Sequence, residues 1–228
     1  DGTLNAAEMN GKNYTPVKIV LGADAKAGDI VVVNGEKYIL NAAEIAGGTL
    51  TVNVAVREGE NPVEVIAADK SGEIDWAKGS IIVDVLPPAV PVSPPAAIDD
   101  IPLHIGNISN GAVTNDNLPE ITGSGRTPGE VITVYIDGAA QTGIGTPIIV
   151  KGDGAWSYTP AAALPDGTYD VAYTVSDKNG NTSPQSPKLS FEIDTEAPSG
   201  GAVAVNTPIA GDNIVDAGES GGNISVTG

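Results

Sequence analysis

The chain has 228 residues and carries 29 acidic against 11 basic side chains, so its net charge is −18. This balance argues against nucleic acid and anionic membrane surfaces as partners, because proteins bind both through basic surfaces. Cysteine is absent and histidine occurs once, which excludes disulfides, thiolate nucleophiles, Cys-ligated zinc and a His-ligated metal cage. No apolar run approaches the roughly 20 residues of a membrane span, so no membrane insertion is expected.

Short runs rich in Val, Ile and Ala, bounded by Gly, Asn, Asp and Pro, recur along the chain and indicate strands. No stretch has the periodicity of a long helix, and a single helical turn or a loop is expected over 41–45. Short strands with turn signals between them predict an all-β fold of tandem, immunoglobulin-like antiparallel sandwiches in an extended array. In chain order the predicted strands are 17–21, 29–33, 36–40, 49–56, 63–67, 80–85, 120–123, 130–136, 146–150, 155–159, 167–175 and 188–193.

Several segments recur in the same order along the chain. Ala68–Gly72 resembles Ser176–Gly180, 108 positions further on, and Ile82–Pro87 resembles Glu192–Pro198 at a spacing of 110. The tail segment 212–219 echoes residues 1–8. We therefore expect a slice of a tandem array. It divides into a type A module over 1–86 with its N-terminal strand expected to be missing, a Pro-rich connector over 87–97, a type B module over 98–194, and the truncated start of another type A module over 195–228.

A set of motifs spans residues 98–198: Ile98–Asp100, Gly106–Gly111, Thr114–Pro119, Asp153–Pro160, Leu164–Tyr169, Ser176–Asn181 and Asp194–Pro198. Their order resembles that of bacterial immunoglobulin-like repeats in giant type I-secreted (RTX-type) and biofilm-associated adhesins of Gram-negative bacteria. Residues 1–86 match this pattern more loosely. The resemblance implies an extracellular, cell-surface extender stiffened by Ca²⁺. Its partners would be neighbouring modules of the same chain and, through domains outside this piece, a host, ice, surface or biofilm ligand.

Calcium also has an argument from the residues themselves, because it takes oxygen ligands and needs neither Cys nor His. In an immunoglobulin-like sandwich the loop between the last two strands lies at the N-terminal end of its module. Segment 177–181 is therefore expected near Asp84, with Asp99 and Asp100 as its nearer acidic partners because of the Pro-rich stretch. By the same geometry Asp194 would meet a third module. The predicted ligands are Asp69, Asp84, Asp99, Asp100, Asp116, Asp177, Asn179 and Asp194. The plainer alternative is that these are turn residues only.

The predicted function is a non-enzymatic extender. A glycosidase needs only two carboxylates but also a cleft with aromatic side chains, and Trp156 and Tyr158 are expected in the core. The alternatives are a carbohydrate- or protein-binding module, which an exposed aromatic cluster would favour, and an accessory domain of a secreted carbohydrate-active enzyme, which a neighbouring catalytic domain would favour. The segment is expected to be a monomer. The alternative is head-to-tail strand exchange, in which the tail after 198 pairs with another chain's first module.

Overall fold

The computed structural model describes residues 2–102, 104–142 and 146–197. Two hydrophobic cores that share no residue divide the described chain. We call the part that contains the strands between Thr3 and Val83 module 1 and the part that contains the strands between Ala96 and Ile193 module 2. The predicted start of a third module lies outside the described residues beyond position 197, and so does the tail that the alternative of head-to-tail strand exchange involves.

Module 1 is a sandwich of a five-stranded and a two-stranded sheet. Its elements are β1 (Thr3–Leu4), α1 (Ala6–Met9), β2 (Tyr14–Val20), β3 (Ile30–Val33), β4 (Glu36–Ile39), α2 (Ala42–Gly47), β5 (Thr49–Ala55), β6 (Gly59–Ala68) and β7 (Ile74–Val83). The larger sheet has the order β1-β7-β6-β3-β4 and the smaller one pairs β2 with β5.

Module 2 repeats this plan with more strands. The strands are β8 (Ala96–Asp99), β9 (Gly106–Ile108), β10 (Ala112–Thr114), β11 (Glu120–Gly123), β12 (Val131–Ile136), β13 (Ala139–Ala140), β14 (Ile148–Ile149), β15 (Trp156–Tyr158), β16 (Gly167–Ser176) and β17 (Leu189–Ile193). One sheet has the order β10-β17-β16-β12-β13, with β14 also paired to β12, and the other has the order β15-β11-β8-β9.

The predicted all-β, immunoglobulin-like class is confirmed, with two differences of detail. Each module contains one parallel pair, β1 with β7 and β10 with β17, where only antiparallel pairing was expected. Five short strands of two to four residues were also not predicted, namely β1, β8, β9, β10 and β13. Strand β8 begins at Ala96, inside the segment predicted to be a connector.

Both helices of module 1 begin with the sequence Asn-Ala-Ala-Glu. At Asn5 and at Asn41 the side chain accepts the backbone N–H of the Glu three residues on, and that Glu accepts the N–H of the Asn. This reciprocal capping satisfies N–H groups that the first helical turn leaves free. The turn expected over 41–45 is thus the start of α2, whereas α1 was not predicted although it carries the same four letters. Within the described residues no helix is long and apolar enough to cross a membrane.

Candidate functional site

The loop that follows β16, Asp177–Asn181, is held in shape by its own first side chain; we call it the joint loop. The Oδ1 atom of Asp177 accepts the backbone N–H groups of Asn179 at 2.8 Å and of Asn181 at 3.0 Å. Backbone bonds from Asp177 to Asn181 and from Gly180 to Asp177 close the turn. Asp177 therefore rigidifies the joint loop and still presents Oδ2 toward the Asn181 amide at 3.0 Å.

The joint loop is bonded to module 1 where module 1 ends. Asn179 donates through Nδ2 to Oδ2 of Asp84 at 2.5 Å, and Asn181 donates through Nδ2 to the Asp84 carbonyl at 2.8 Å. From the other side, Asn5 donates through Nδ2 to the Asn179 carbonyl at 2.8 Å, and the N–H of Ala6 donates to Oδ1 of Asn181 at 3.0 Å. These four hydrogen bonds join the two sandwiches, and we call this contact the joint.

Asn181 is the most enclosed side chain of the joint. It is 3% exposed, and its amide is engaged by Ala6, Asp84 and Asp177. A buried amide with all its partners in place fixes their relative positions, because losing one leaves a polar group unpaired. Neither Asn181 nor Asn5 was among the predicted site residues. The signals for them are the last Asn of Asp-Lys-Asn-Gly-Asn and the Asn-Ala-Ala-Glu cap.

A second polar cluster lies inside module 2, where Asp99 and Asp116 are 2% and 3% exposed. Asp99 accepts the Thr114 hydroxyl at 2.6 Å and the N–H of Ile101 at 2.8 Å. Asp116 accepts the N–H of Leu118 at 2.8 Å, and its own N–H donates to the Thr114 hydroxyl at 3.1 Å. We call Asp99, Thr114 and Asp116 the distal cluster.

The distal cluster is at the opposite end of module 2 from the joint. Thr114 lies beside Ile193, and Ile193 pairs with Gly167, the first residue of β16. The joint loop follows the last residue of the same ten-residue strand, so the two ends are roughly 30 Å apart. The expectation that Asp99 and Asp100 are the nearer partners of the joint loop is therefore wrong. Strand β8 runs away from the joint and carries both aspartates to its far end.

The remaining predicted residues lie at module ends but not all together. The N–H of Asp100 donates to Asp116 at 3.4 Å, and the N–H of Asp194 donates to the Thr114 carbonyl at 2.9 Å, which places both beside the distal cluster. Asp69 begins a module 1 turn of the same form as the joint loop, and its Oδ1 accepts the N–H groups of Ser71 and Glu73. The Ser71 hydroxyl bond, followed by the Glu73 N–H, lowers the pKa of Asp69 below its ordinary value.

The donor chemistry of both sites suits a hard cation. Among the described residues no group of three or more His, Asp or Glu side chains could hold a metal ion by itself. Calcium also accepts amide and main-chain oxygens, which the joint offers beside the carboxylates of Asp84 and Asp177. In the distal cluster two buried carboxylates are bonded only to neutral N–H and O–H groups, and the three ion pairs of the described residues include neither. Burial of charge without an opposite charge is costly, so a cation would be stabilised there.

Comparison with known proteins assigns module 2 more closely than module 1. Residues 99–195 match the family described as "Bacterial Ig-like domain". This confirms the resemblance for that range at the level of a bacterial immunoglobulin-like domain. No curated protein matches the chain.

Three solved structures of similar fold illustrate its neighbourhood. A Ca²⁺-stabilized adhesin that helps an Antarctic bacterium bind ice is 25% identical with a TM-score of 0.47, over 99% of this chain and 55% of that chain. A 1.5-MDa bacterial ice-binding adhesin is 22% identical with a TM-score of 0.41, over 85% and 61%. Fibronectin(III)-like modules of Clostridium thermocellum CbhA are 11% identical with a TM-score of 0.40, over 88% and 94%. This chain thus spans 55% of the first adhesin structure and 61% of the second.

Proposed function

We propose that the two modules are a non-enzymatic extender of an extracellular bacterial surface protein, an adhesin or biofilm protein, and hold a distal ligand-binding region away from the cell. The joint carries this proposal, because four hydrogen bonds fix a loop of module 2 on the end of module 1. Two of these four bonds are made by Asn181, whose side chain is buried. Two sandwiches joined in this way resist bending better than two sandwiches on a free linker. The family match of residues 99–195 supports a bacterial origin for such a repeat.

A mechanical role also agrees with the side chains that line one groove of module 1. A groove of about 450 Å³ opens on module 1 beside β1 and β2. Glu8 is the one ionisable side chain among the residues that line it, whereas glycoside hydrolysis needs two carboxylates at a fixed separation. The groove thus offers a surface without a pair of acid and base groups. The ligand of the whole protein would then be bound by a different part of it.

A carbohydrate-binding role would draw support from clustered exposed aromatic rings. Among the described residues the large exposed aromatics are Trp76 on β7 and Tyr14 on β2, which belong to different sheets. Trp156, by contrast, is 1% exposed and packs on Tyr173 with ring centroids 4.9 Å apart. The aromatic side chains therefore favour the extender over the binding module.

We further propose that Ca²⁺ binds at the module ends. Asp84, Asp177 and Asn179 would hold it at the joint, and Asp99 and Asp116 at the distal cluster, with amide or main-chain oxygens completing each site. The cation would supply positive charge to a chain whose net charge is −18. Extracellular calcium modules bind with Kd of about 10⁻⁴–10⁻³ M, and a hundredfold excess of free Ca²⁺ over Kd adds about 2.7 kcal/mol of stability for one native-only site.

The sharpest test replaces Asn181 by Asp. Asn181→Asp keeps the acceptor for Ala6 and loses the Nδ2 donor to Asp84 and Asp177, so a new carboxylate faces an old one. In chelator we expect the joint to open, which small-angle scattering would record as a changed maximum dimension. In millimolar Ca²⁺ we expect the wild-type dimension to return, whereas Mg²⁺ should restore less because it demands a stricter geometry.

The matched control is Asn53→Asp, which adds the same charge at an exposed position of β5. It should leave the scattering unchanged in both conditions. If Asn181→Asp scatters like the wild type in chelator, the joint does not hold the modules. If the variant opens and Ca²⁺ does not close it, the joint holds the modules without calcium, and only the calcium part of the proposal fails.

A further inference from the structure

The side chain of Arg126 is hydrogen-bonded both to module 2 and to the Pro-rich connector. It lies in the turn between β11 and β12, and because Val131 pairs with Ser176, this turn is at the same end of module 2 as the joint loop. Its Nε donates to Oε2 of Glu130 at 3.3 Å, and its Nη2 donates to the carbonyl of Ala89 at 3.3 Å. One guanidinium thus holds a module 2 carboxylate and a connector carbonyl together.

The guanidinium is well placed to act as a fixed anchor. The side chains of Arg126 and Glu130 are both only 13% exposed, so the pair is less screened by water than a surface ion pair. Glu130 is itself positioned, since its Oε2 also accepts the N–H of Thr127 at 3.0 Å. The charge of Arg126 also reaches Tyr173, where it opposes the rise in pKa that burial causes.

The backbone of Arg126 is held as firmly as its side chain. Its N–H donates to the Gly154 carbonyl at 3.2 Å. Gly154 has a φ of +81°, and a Cβ atom built on it would lie 2.8 Å from the Arg126 carbonyl oxygen. Only glycine allows this close approach. The turn that ends at Gly154 therefore holds the backbone of Arg126 in place.

The equivalent turn of module 1 lacks this anchor. There the N–H of Lys26 donates to Asp29 as the N–H of Thr127 donates to Glu130, and both turns share the backbone bond from the acidic residue back to the turn. In this alignment Ala25 occupies the position of Arg126. The capping carboxylate is thus common to both modules. The arginine occurs only in module 2, which follows the long Pro-rich connector.

We propose that Arg126 is a positioning residue that fastens the connector to module 2 and, with the joint loop, sets the angle between the modules. This inference rests on the proposed extender function. Within the connector Pro91 and Pro95 are buried while Val92 is 89% exposed, so the segment lies along the protein instead of looping freely. A Pro-rich segment is stiff, and fastening it at Ala89 transmits that stiffness to the first turn of module 2. The fastening needs no metal ion.

The test measures the distance between the modules directly. The chain has no cysteine, so Thr51→Cys in module 1 and Asn107→Cys in module 2, both exposed, accept spin labels without competition. When Arg126→Met is added to this double-cysteine protein, we expect the distribution of distances between the two spin labels to broaden, on the order of twofold, in chelator and in Ca²⁺ alike. The matched control Lys188→Met removes a cation that pairs with Asp170 away from the connector, and its distribution should equal that of the parent.

A distribution that Arg126→Met leaves unchanged overturns the proposal. Loss of the near-ultraviolet circular dichroism of the buried Trp156 would mean that Arg126→Met does not fold. In that case the same distance measurement is made on Arg126→Lys. A lysine keeps the positive charge but lacks the planar fork whose Nε and Nη2 bond Glu130 and Ala89 separately. A folded Arg126→Lys with the parent distribution would also overturn the proposal. Because Asn181→Asp tests the joint loop alone, failure of the extender joint and failure of the Arg126 anchor give different results.

Discussion

The two modules share one strand plan and fill it differently. The core of module 2 contains sixteen buried residues, four of which are aromatic, whereas that of module 1 contains ten and no aromatic ring. The aromatic residues are Trp156, Tyr158, Tyr173 and Phe191. Since burial of apolar area is the main stabilising term, module 2 should be the more stable sandwich. Module 1, with the smaller core, should depend more on its contacts at the joint.

One pair of facing positions shows how the same plan takes two fillings. In module 2 Trp156 lies opposite Gly123, and in module 1 Leu50 lies opposite Ile19. A Cβ atom at Gly123 would come within 2.5 Å of the indole, so the ring occupies the space of the missing side chain. The pair of tryptophan and glycine in module 2 therefore fills a volume comparable to that of the pair of leucine and isoleucine in module 1. Cores tolerate such exchanges when the total volume is kept.

The largest effect should follow removal of the indole. Trp156→Ala leaves a cavity in a 1% exposed site and should cost module 2 about 3–5 kcal/mol. Urea unfolding followed by circular dichroism should then show the module 2 transition at much lower denaturant. Leu50→Ala at the equivalent site should cost module 1 about 2–5 kcal/mol and shift only the other transition. If either variant moves both transitions equally, the two cores do not unfold independently.

A smaller effect should follow the addition of one methyl group opposite the indole. Gly123→Ala should cost about 1–3 kcal/mol by overpacking, because the new Cβ overlaps the ring of Trp156. In a Trp156→Leu background the same change should cost less, since leucine leaves room as it does in module 1. Urea unfolding of the four chains closes a double-mutant cycle. Additive costs would show that the glycine is kept for its backbone and not for the ring.

Much of this fold follows from local pattern, and the joint follows only in part. Long alternating runs such as β12 and β16 are predictable because side chains alternate between the two faces of a strand. The two-residue β1 is not, since its pairing with β7 is set by the tertiary fold. The position of the joint loop against Asp84 follows from sandwich topology. The burial of Asn181 between α1 and Asp84 does not, because it depends on two modules meeting.

The distal position of Asp99 was missed for a related reason. The sequence shows that Asp99 follows the connector, and nearness along the chain was taken as nearness in space. Strand β8 then carries the residue to the far end of its sheet. Metal binding by these residues stays a prediction, and the calcium titration of the Asn181→Asp variant addresses the joint part of it.

Asn5 has two roles, since it caps helix α1 and also bonds to module 2, and a comparison with Asn41 separates them. Asn5 and Asn41 cap helices of the same sequence, but only Asn5 also donates to the Asn179 carbonyl of module 2. Asn41→Ala should cost module 1 about 0.5–2 kcal/mol for the cap alone. Asn5→Ala should cost about 0.5–1.5 kcal/mol more for the lost inter-module hydrogen bond. The Asn41 side chain accepts one N–H more than that of Asn5, the N–H of Ala43 at 2.9 Å, so the two caps differ by this bond. Thermal unfolding of the two variants gives the difference, and a cost for Asn5→Ala below that of Asn41→Ala would mean that the inter-module bond adds nothing to module 1.

The smallest effect concerns acid stability and again pairs one residue from each module. The Ser190 hydroxyl, followed by Lys188, lowers the pKa of Asp170 from its ordinary value of 3.8 in module 2. The Ser71 hydroxyl does the same for Asp69 in module 1. Because the pKa of each is lower in the folded than in the unfolded chain, each carboxylate stabilises its module above the unfolded value. That contribution is lost as the pH falls from about 4 through the lowered pKa.

Asp170→Asn should therefore weaken the acid dependence of the module 2 transition, and Asp69→Asn that of the module 1 transition. The measurement is the urea midpoint of each transition at steps from about pH 5 to about pH 2.5. Asp153→Asn serves as the control, because Asp153 is an exposed turn residue whose carboxylate caps only the N–H of Ala155. Both aspartates are on the surface, so the effects should be modest. A variant Asp170→Asn that keeps the full acid dependence of module 2 would show that Asp170 does not contribute to it.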